Sequence, residues 1–446
     1  GAITRANLNG VVAMSREAQA DGSSALKVAL NVNRAVAGAV VTLFAGKESV
    51  FAETAALEPA KTWTHLLAKS EEGKEYRVVV KDAQGVALLE HTEGKYDFVG
   101  AEPNAEVVPL TGAGAVVERG VGLEEHGKDA EAWQTLVDGV KKFRGNAGLL
   151  LAAGRVGVRM FRYAEAAEFL GEAVKLKGAS AAAQYYLGLA YEGLSREGDA
   201  KRELEAAEGD AGFHAAAGVL LAEMAARHGA AADGVKRLDA VCSGVESGER
   251  CVEERVALRR VTGDVEGAKA LDAEGLREYP TSAFLQGEMV KLGAADGDAK
   301  ARLEAHLGAD SQRVLNLVVE YDRLGLWKDS VELLTRSYPR ATADEMDAGA
   351  LAPGDDALLV YYRGFCREKL GQAGAADYAA AGVMPLKYVF PSREDSIAVL
   401  QAALASRPGD ASAHYLLGLL WYSRAMGEEA MAEWKRAEAL NANLPG

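Results

Sequence analysis

Gly120, Gly154 and Gly188 lie 34 residues apart, and the same interval separates Ala132, Ala166 and Ala200, and again Leu136, Leu170 and Leu204. An interval that long matches neither the alternation of a strand nor the turn of a helix, so it marks a whole supersecondary unit that recurs. Within one interval, AAAQYYLGLAYEGLSREGDAKRELEAA over residues 181–207, apolar residues return every three or four positions on both sides of a polar break. That pattern predicts two amphipathic helices joined by a turn. Small side chains let the pair cross closely: Gly188 on the first helix and Ala200 on the second, with Tyr191 and Leu204 filling the space beside the crossing and Leu187 turned to the same interior. Such a hairpin leaves one face apolar, so consecutive units must stack.

A late copy, SAHYLLGLLWYSRAMGEEAMAEWKRA over residues 412–437, places Leu417, Gly418, Trp421, Ala430, Trp434 and Ala437 at the matching positions. Weaker copies lie between: Gly263, Ala268 and Pro280 in one unit, Tyr321, Gly325 and Leu334 in another, and Gly364, Gly371 and Ala376 in a third. Ser396, Leu400, Ala403 and Pro408 fit the second helix of a further unit whose first part is distorted around PLKYVFPSRED. The count comes to roughly eight to nine helical hairpins between residues 113 and 442.

The first hundred residues follow another period. LKVALNV, AVVTLFA, SVFAETA, YRVVV and GVALLEH, separated by AGK, EEGK and DAQG, are short β-branched and aromatic runs between turn formers. They predict a small antiparallel β-sandwich of the immunoglobulin-like type. YDFVGAEPNAEVVPLTGAGA, from Tyr96, reads as a linker. The expected organisation is multidomain: residues 1–105 a β-sandwich with a leading extended segment, residues 106–446 an all-α superhelix.

Asp and Glu outnumber Lys and Arg 65 to 50, giving a net charge of -15; a field of that sign repels phosphate backbones, so nucleic acid is not an expected partner. No apolar run reaches the ~18 residues that cross a bilayer, so no membrane insertion is expected. The chain opens at Gly1 without a basic and apolar leader, so a targeting segment is expected to be removed or never present. Cys242 and Cys251 flank SGVESGER. That spacing permits a disulfide closing a small loop, which would place the chain in an oxidising, extracytoplasmic compartment; two unrelated thiols are the other reading.

The repeats closely resemble those of tetratricopeptide-repeat proteins, over about three quarters of the chain, a likeness specific for fold and unspecific for activity. The opening GAITRANLNGVVAMS, the sandwich, the repeats and KYVFPSREDSIAVLQAALASRPGDASAHYLLGLL together resemble the C-terminal part of a bacterial family of unknown function. In that family a large β-rich domain similar to galactose mutarotases precedes the repeats. The resemblance implies that this chain is one part of a longer polypeptide, with any sugar-directed chemistry mostly in the portion not present here.

Catalytic constellations are sparse. GLEEHGKD, from Gly122, imitates a phosphate-binding loop but has Asp129 where a hydroxyl residue belongs and lies in repeat helices rather than after a strand. GAG at 112–114 lacks the rest of a dinucleotide fingerprint and reads as flexible linker. The seven histidines show no ligand spacing, so no metal or cofactor is expected; His414 reads as a hydrogen-bonded core histidine. The remaining constellation is aromatic and charged. Three residues before the crossing glycine, a position that the resemblance to tetratricopeptide repeats implies is turned to the concave wall, stand Tyr185, Tyr361 and Tyr415; one and four residues after it stand Arg155, Glu192, Phe365 and Tyr422. Tyrosine offers a flat ring and a hydroxyl suited to a peptide or a sugar ring, and packing between neighbouring hairpins is the competing use of those rings. Leu151 and Leu189 stand where a clamp for peptide C-termini would need polar residues. The expected function is a noncatalytic protein-interaction scaffold whose partner is a protein or another part of the same polypeptide. The alternatives are an accessory half of a carbohydrate-active bacterial enzyme and an extracellular assembly protein.

Overall fold

The structure, a computed structural model, describes residues 3–19, 23–59, 61–71, 73–95, 111–176, 178, 180–242, 248–294, 297–344 and 349–444. The chain forms two compact units, Gly1–Val107 and Val108–Gly446. The boundary expected between residues 105 and 106, and most of the linker expected from Tyr96, fall at 96–110, outside the described residues. GAG at 112–114 is not linker: it opens the first helix.

The first unit is a sandwich of two four-stranded antiparallel sheets. The strands are β1 (Arg5–Asn7), β2 (Gly10–Ala18), β3 (Ser24–Val32), β4 (Val36–Ala45), β5 (Glu48–Leu57), β6 (Trp63–Ser70), β7 (Tyr76–Lys81) and β8 (Ala87–Thr92). One sheet has the order β1-β2-β3-β6 and the other β5-β4-β7-β8. Alternation does the sorting: Leu26, Val28, Leu30 and Val32 of β3 and Ala39, Val41, Leu43 and Ala45 of β4 all point into one core with Tyr76, Val78 and Val80 of β7. The five apolar runs became β3, β4, β5, β7 and β8. The supposed leading extended segment is instead β1 and β2, the latter pairing along its length with β3, Met14 opposite Val28. β2 escapes a hydrophobicity pattern because it buries only Val12 and Met14; β6 escapes it because Trp63, His65 and Leu67 are only half-buried and the exposed positions include Leu66 and Ala68, so no apolar–polar alternation is written.

The second unit is a tetratricopeptide-type solenoid. Among the described residues nine helical hairpins succeed one another. They pair α1 (Gly112–Glu125) with α2 (Asp129–Lys142), α3 (Ala147–Arg159) with α4 (Tyr163–Ala173), α5 (Ala181–Gly193) with α6 (Glu197–Glu208), and α7 (His214–Arg227) with α8 (Ala231–Val241). Next come α9 (Glu249–Thr262) with α10 (Val265–Glu278), α11 (Ala283–Lys291) with α12 (Gly297–Leu307), and α13 (Ser311–Arg323) with α14 (Trp327–Thr335). The last are α15 (Ala357–Lys369) with α16 (Ala375–Ala381), and α18 (Ala411–Ser423) with α19 (Gly427–Leu440); α17 (Asp395–Ser406) stands between these two. Asn146, Ser180, Ser282, Asp310, Asp356 and Asp410 cap the first helices α3, α5, α11, α13, α15 and α18, each accepting a backbone N–H of the opening turn.

The 34-residue interval is a contact. A Cβ on Gly120 would lie 2.5 Å from Leu136, one on Gly154 2.3 Å from Leu170, and one on Gly188 2.7 Å from Leu204. The interval persists beyond the legible glycines: Ala222, Gly234 and Leu238 continue it, and so do Val256, Ala268 and Asp272. A left-handed residue recurs with it in the turn, at Gly127, Phe161, Ser195, Gly229 and Gly263. In the eighth hairpin the register is two residues shorter. Gly364 meets Tyr378 and the Gly374 carbonyl, and Ala376, expected at the crossing, is exposed.

Early and late hairpins of this unit touch. Gly325, after α13, packs so tightly on α7 that a Cβ would sit 2.8 Å from Arg227 Cα, and Arg227 Nη1 donates to the Arg323 carbonyl at 3.2 Å. The Arg424 guanidinium lies 4.3 Å from the Phe161 ring centre and donates to the Ser392 carbonyl at 2.5 Å.

Candidate functional site

Beside the Arg227–Arg323 meeting lies a groove of about 380 Å³ between early and late hairpins. α3 and α5 contribute Val158 and Leu189, α7 Leu220, and α17 Ile397 and Ala398; the polar lining is Tyr163, Glu192, Glu223, Arg227, Arg250, Arg323, Glu394 and Asp395. A larger hollow, about 790 Å³, opens between α6, α7 and α8, but it gathers three consecutive helices only, as any cleft between neighbouring hairpins does. The groove brings together chemistry from hairpins far apart in the chain; a smaller hollow of about 230 Å³, between Gly127–Glu131 and Ser423–Ala425, also joins distant hairpins but gathers fewer elements.

An alternating ladder of charge runs along its floor. Glu192 accepts from Arg227, Arg227 stands 4.0 Å from Glu223, Arg250 bonds Glu223, and Arg250 Nε donates to Glu254 at 2.8 Å. Arg323 is held by both oxygens of Glu320 at 3.0 Å. Glu394 is open to the groove yet surrounded by protein. Burial, with Asp395 and Glu192 adding repulsion, pushes its carboxyl up to about 7 despite the Tyr163 hydroxyl and Arg323. Burial likewise raises Glu192 against the pull of Arg227.

Of the residues expected on the concave wall, only Glu192 lines the groove. Tyr361 is no wall residue: it is wholly buried, and its hydroxyl donates to Asp410 Oδ1 at 2.9 Å. Tyr185 is half-buried against Phe213, ring centres 5.2 Å apart, in the packing between two hairpins. Tyr415 packs on the core of the C-terminal hairpins. Phe365 meets Trp327 edge-on at 6.0 Å, and Arg155 pairs with Glu124 at 2.5 Å. Tyr422 is 65% exposed but lies against Trp434 rather than in the groove. Structural packing thus accounts for most of the aromatic positions. Glu223 was within reach of the sequence, because it follows Ala222, the next step of the 34-residue interval after Gly188. Glu394 was not, since the distorted segment around it has no period to read.

Cys242 and Cys251 are disulfide-bonded, Cα atoms 6.0 Å apart, and join the end of α8 to the first turn of α9. The loop between them lies partly outside the described residues, at 243–247. His414 is bonded to Glu433 at 2.6 Å and faces the Pro408 carbonyl at 3.3 Å. GLEEHGKD is the end of α1 and its turn, with Asp129 held by Arg159. Among the described residues no cluster of His, Cys, Asp or Glu suits a metal ion, and no helix is long and apolar enough to cross a membrane.

Residues 5–91 match the sequence profile of the second domain of YphG-like proteins. No curated protein matches the chain. Solved structures similar to it include the C-terminal part of a TPR repeat-containing protein from Cytophaga hutchinsonii, at 11% identity, TM-score 0.37, covering 64% of this chain and 99% of that one. YrrB, described as a TPR protein with an unusual peptide-binding site, is similar at 16% identity, TM-score 0.33, over 39% of this chain and 89% of its own. A thermophilic TPR protein of Thermus thermophilus is similar at 18% identity, TM-score 0.32, over 41% of this chain and 100% of its own. The repeat architecture rests on the hairpins themselves rather than on these superpositions.

Proposed function

We propose that the chain is a noncatalytic interaction scaffold whose groove receives an extended segment of protein, from a partner or from another part of the same polypeptide. The observation that carries this reading is the groove itself. Seven helices contribute to it, and apolar Leu189, Leu220, Ile397 and Ala398 stand among charged side chains. Saturated Arg–Glu pairs hold the wall in place without requiring a ligand to complete them. The test is selection of a random displayed dodecapeptide library on the full chain and on Ala398→Trp, which fills the groove from an exposed position of α17. Peptides enriched on the first and lost on the second support the reading; enrichment indifferent to the tryptophan, or none, removes it.

A further inference from the structure

Resting on that reading of the groove, we infer that its end formed by Glu394, Asp395 and Tyr163 is a slot for an organic cation, supplied as an arginine or lysine side chain of the bound segment. Charge accounting within the groove leads there. Each arginine lining it is already matched: Arg227 by Glu192 and Glu223, Arg250 by Glu223 and Glu254, Arg323 by Glu320. Glu394 and Asp395, adjacent at the start of α17, have no ion pair among the described residues, although Arg323 is near enough to act on Glu394 through space. Arg424, near Tyr163, is held over the Phe161 ring and by the Ser392 carbonyl.

Tyr163 supplies an independent observation. It is 7% exposed and lines the groove, and its buried hydroxyl lies close enough to Glu394 to act on it but makes no hydrogen bond of good geometry to that acid or to any other described group. A buried hydroxyl left unmatched is costly. A guanidinium or ammonium entering between Tyr163 and the two carboxylates would donate to the phenol oxygen and to both acids, satisfying all three groups at once. The Glu394 carboxyl, raised chiefly by burial and further by Asp395 and Glu192, is in keeping with this, because a cation entering the slot would favour its charged form. A guanidinium fits better than a point charge, because two acceptors and a hydroxyl are offered to one planar fork.

The experiment extends the same peptide selection and then measures binding of a fluorescein-labelled peptide from it by anisotropy. Variants are Glu394→Gln/Asp395→Asn, Tyr163→Phe, and Glu428→Gln/Glu429→Gln, which removes the same charge from α19. Enriched peptides carry Arg or Lys at a fixed position. The slot variant weakens binding about tenfold or more, Tyr163→Phe by a smaller factor, and the α19 variant leaves it unchanged. Peptides lost on Ala398→Trp but lacking a basic residue, or equally tight on the slot variant, overturn the slot while the groove reading stands. No selection sensitive to Ala398→Trp overturns both. Spermidine competes as the free source of the same cation; displacement at concentrations below the peptide's own Kd overturns the side-chain assignment.

Discussion

Leu170 occupies the space a side chain on Gly154 would need, leaving 2.3 Å to a Cβ placed there. Helix propensity favours alanine over glycine, so the crossing distance and the propensity oppose each other at this position. Gly154→Ala is expected to destabilise the solenoid by roughly 1–3 kcal/mol, because Leu170 is wholly buried and has nowhere to retreat. Gly171→Ala, on α4 with open space around it, is expected to stabilise by about 0.5–1 kcal/mol. Urea denaturation of both variants checks the pair; effects of the same sign would mean that crossing distance does not govern the glycine.

Ala425 holds a φ of 56° in the turn of the last hairpin, at the position where other units place glycine. Ala425→Gly is expected to add about 1 kcal/mol of stability, since a Cβ in the left-handed region costs that much. Phe161 has the same conformation, φ 62°, but its ring carries Arg424. Phe161→Gly therefore loses the stack joining early and late hairpins, and its melting temperature should rise less than that of Ala425→Gly or fall. A rise equal to that of Ala425→Gly would deny the stack any weight.

Asp272 stands where the interval places Leu136, Leu170, Leu204 and Leu238, and both its oxygens are buried without a hydrogen-bond partner. Burial and the nearby Glu288 push it up to about 7. Burial raises Asp322, Glu253 and Glu394 to about 7 as well. A carboxyl raised on folding holds its proton more tightly in the native state. Its stabilising effect is full below the ordinary carboxylate range and is lost as pH climbs through about 7. The solenoid is accordingly expected to melt at a higher temperature at pH 5.5 than at pH 8. Asp272→Leu should narrow that difference by raising the melting temperature at pH 8. A melting temperature that rises from pH 5.5 to 8 would contradict the assignment.

The disulfide is expected to show in alkylation and in stability. Under native conditions iodoacetamide should modify no cysteine, because Cys366 is buried; after denaturation it should add one group, and after denaturation with reduction three, one for each cysteine in the chain. Closing a loop this short is worth about 3 kcal/mol in the chain-entropy account, so reductant should lower the melting temperature. Three additions without reductant would place free thiols at Cys242 and Cys251.

The hairpins were legible because the crossing writes itself into side-chain volume: Gly188 is small because Leu204 is large and sixteen positions on. Where the opposing residue changes the record blurs. Val256 faces the Asp272 position without a glycine, and the eighth hairpin drops two residues, so that Ala376 looked like a crossing residue and Gly374 was one. Tyr361 departs from its sequence-implied position for a related reason. Its place three residues before Gly364 is a wall position by spacing, but a bond to Asp410, contributed by a later segment, buries it.

The period of small and large residues determined that this chain builds paired helices that stack, since each crossing depends on a few side chains held at fixed intervals along the chain. The groove depended on something else. Glu394 meets Tyr163, and Arg424 meets Phe161, only because small rotations from one hairpin to the next add up until late repeats return to early ones. That sum depends on the packing of every interface between, so the residues that face each other across the groove follow from the assembled solenoid, and no local pattern records them.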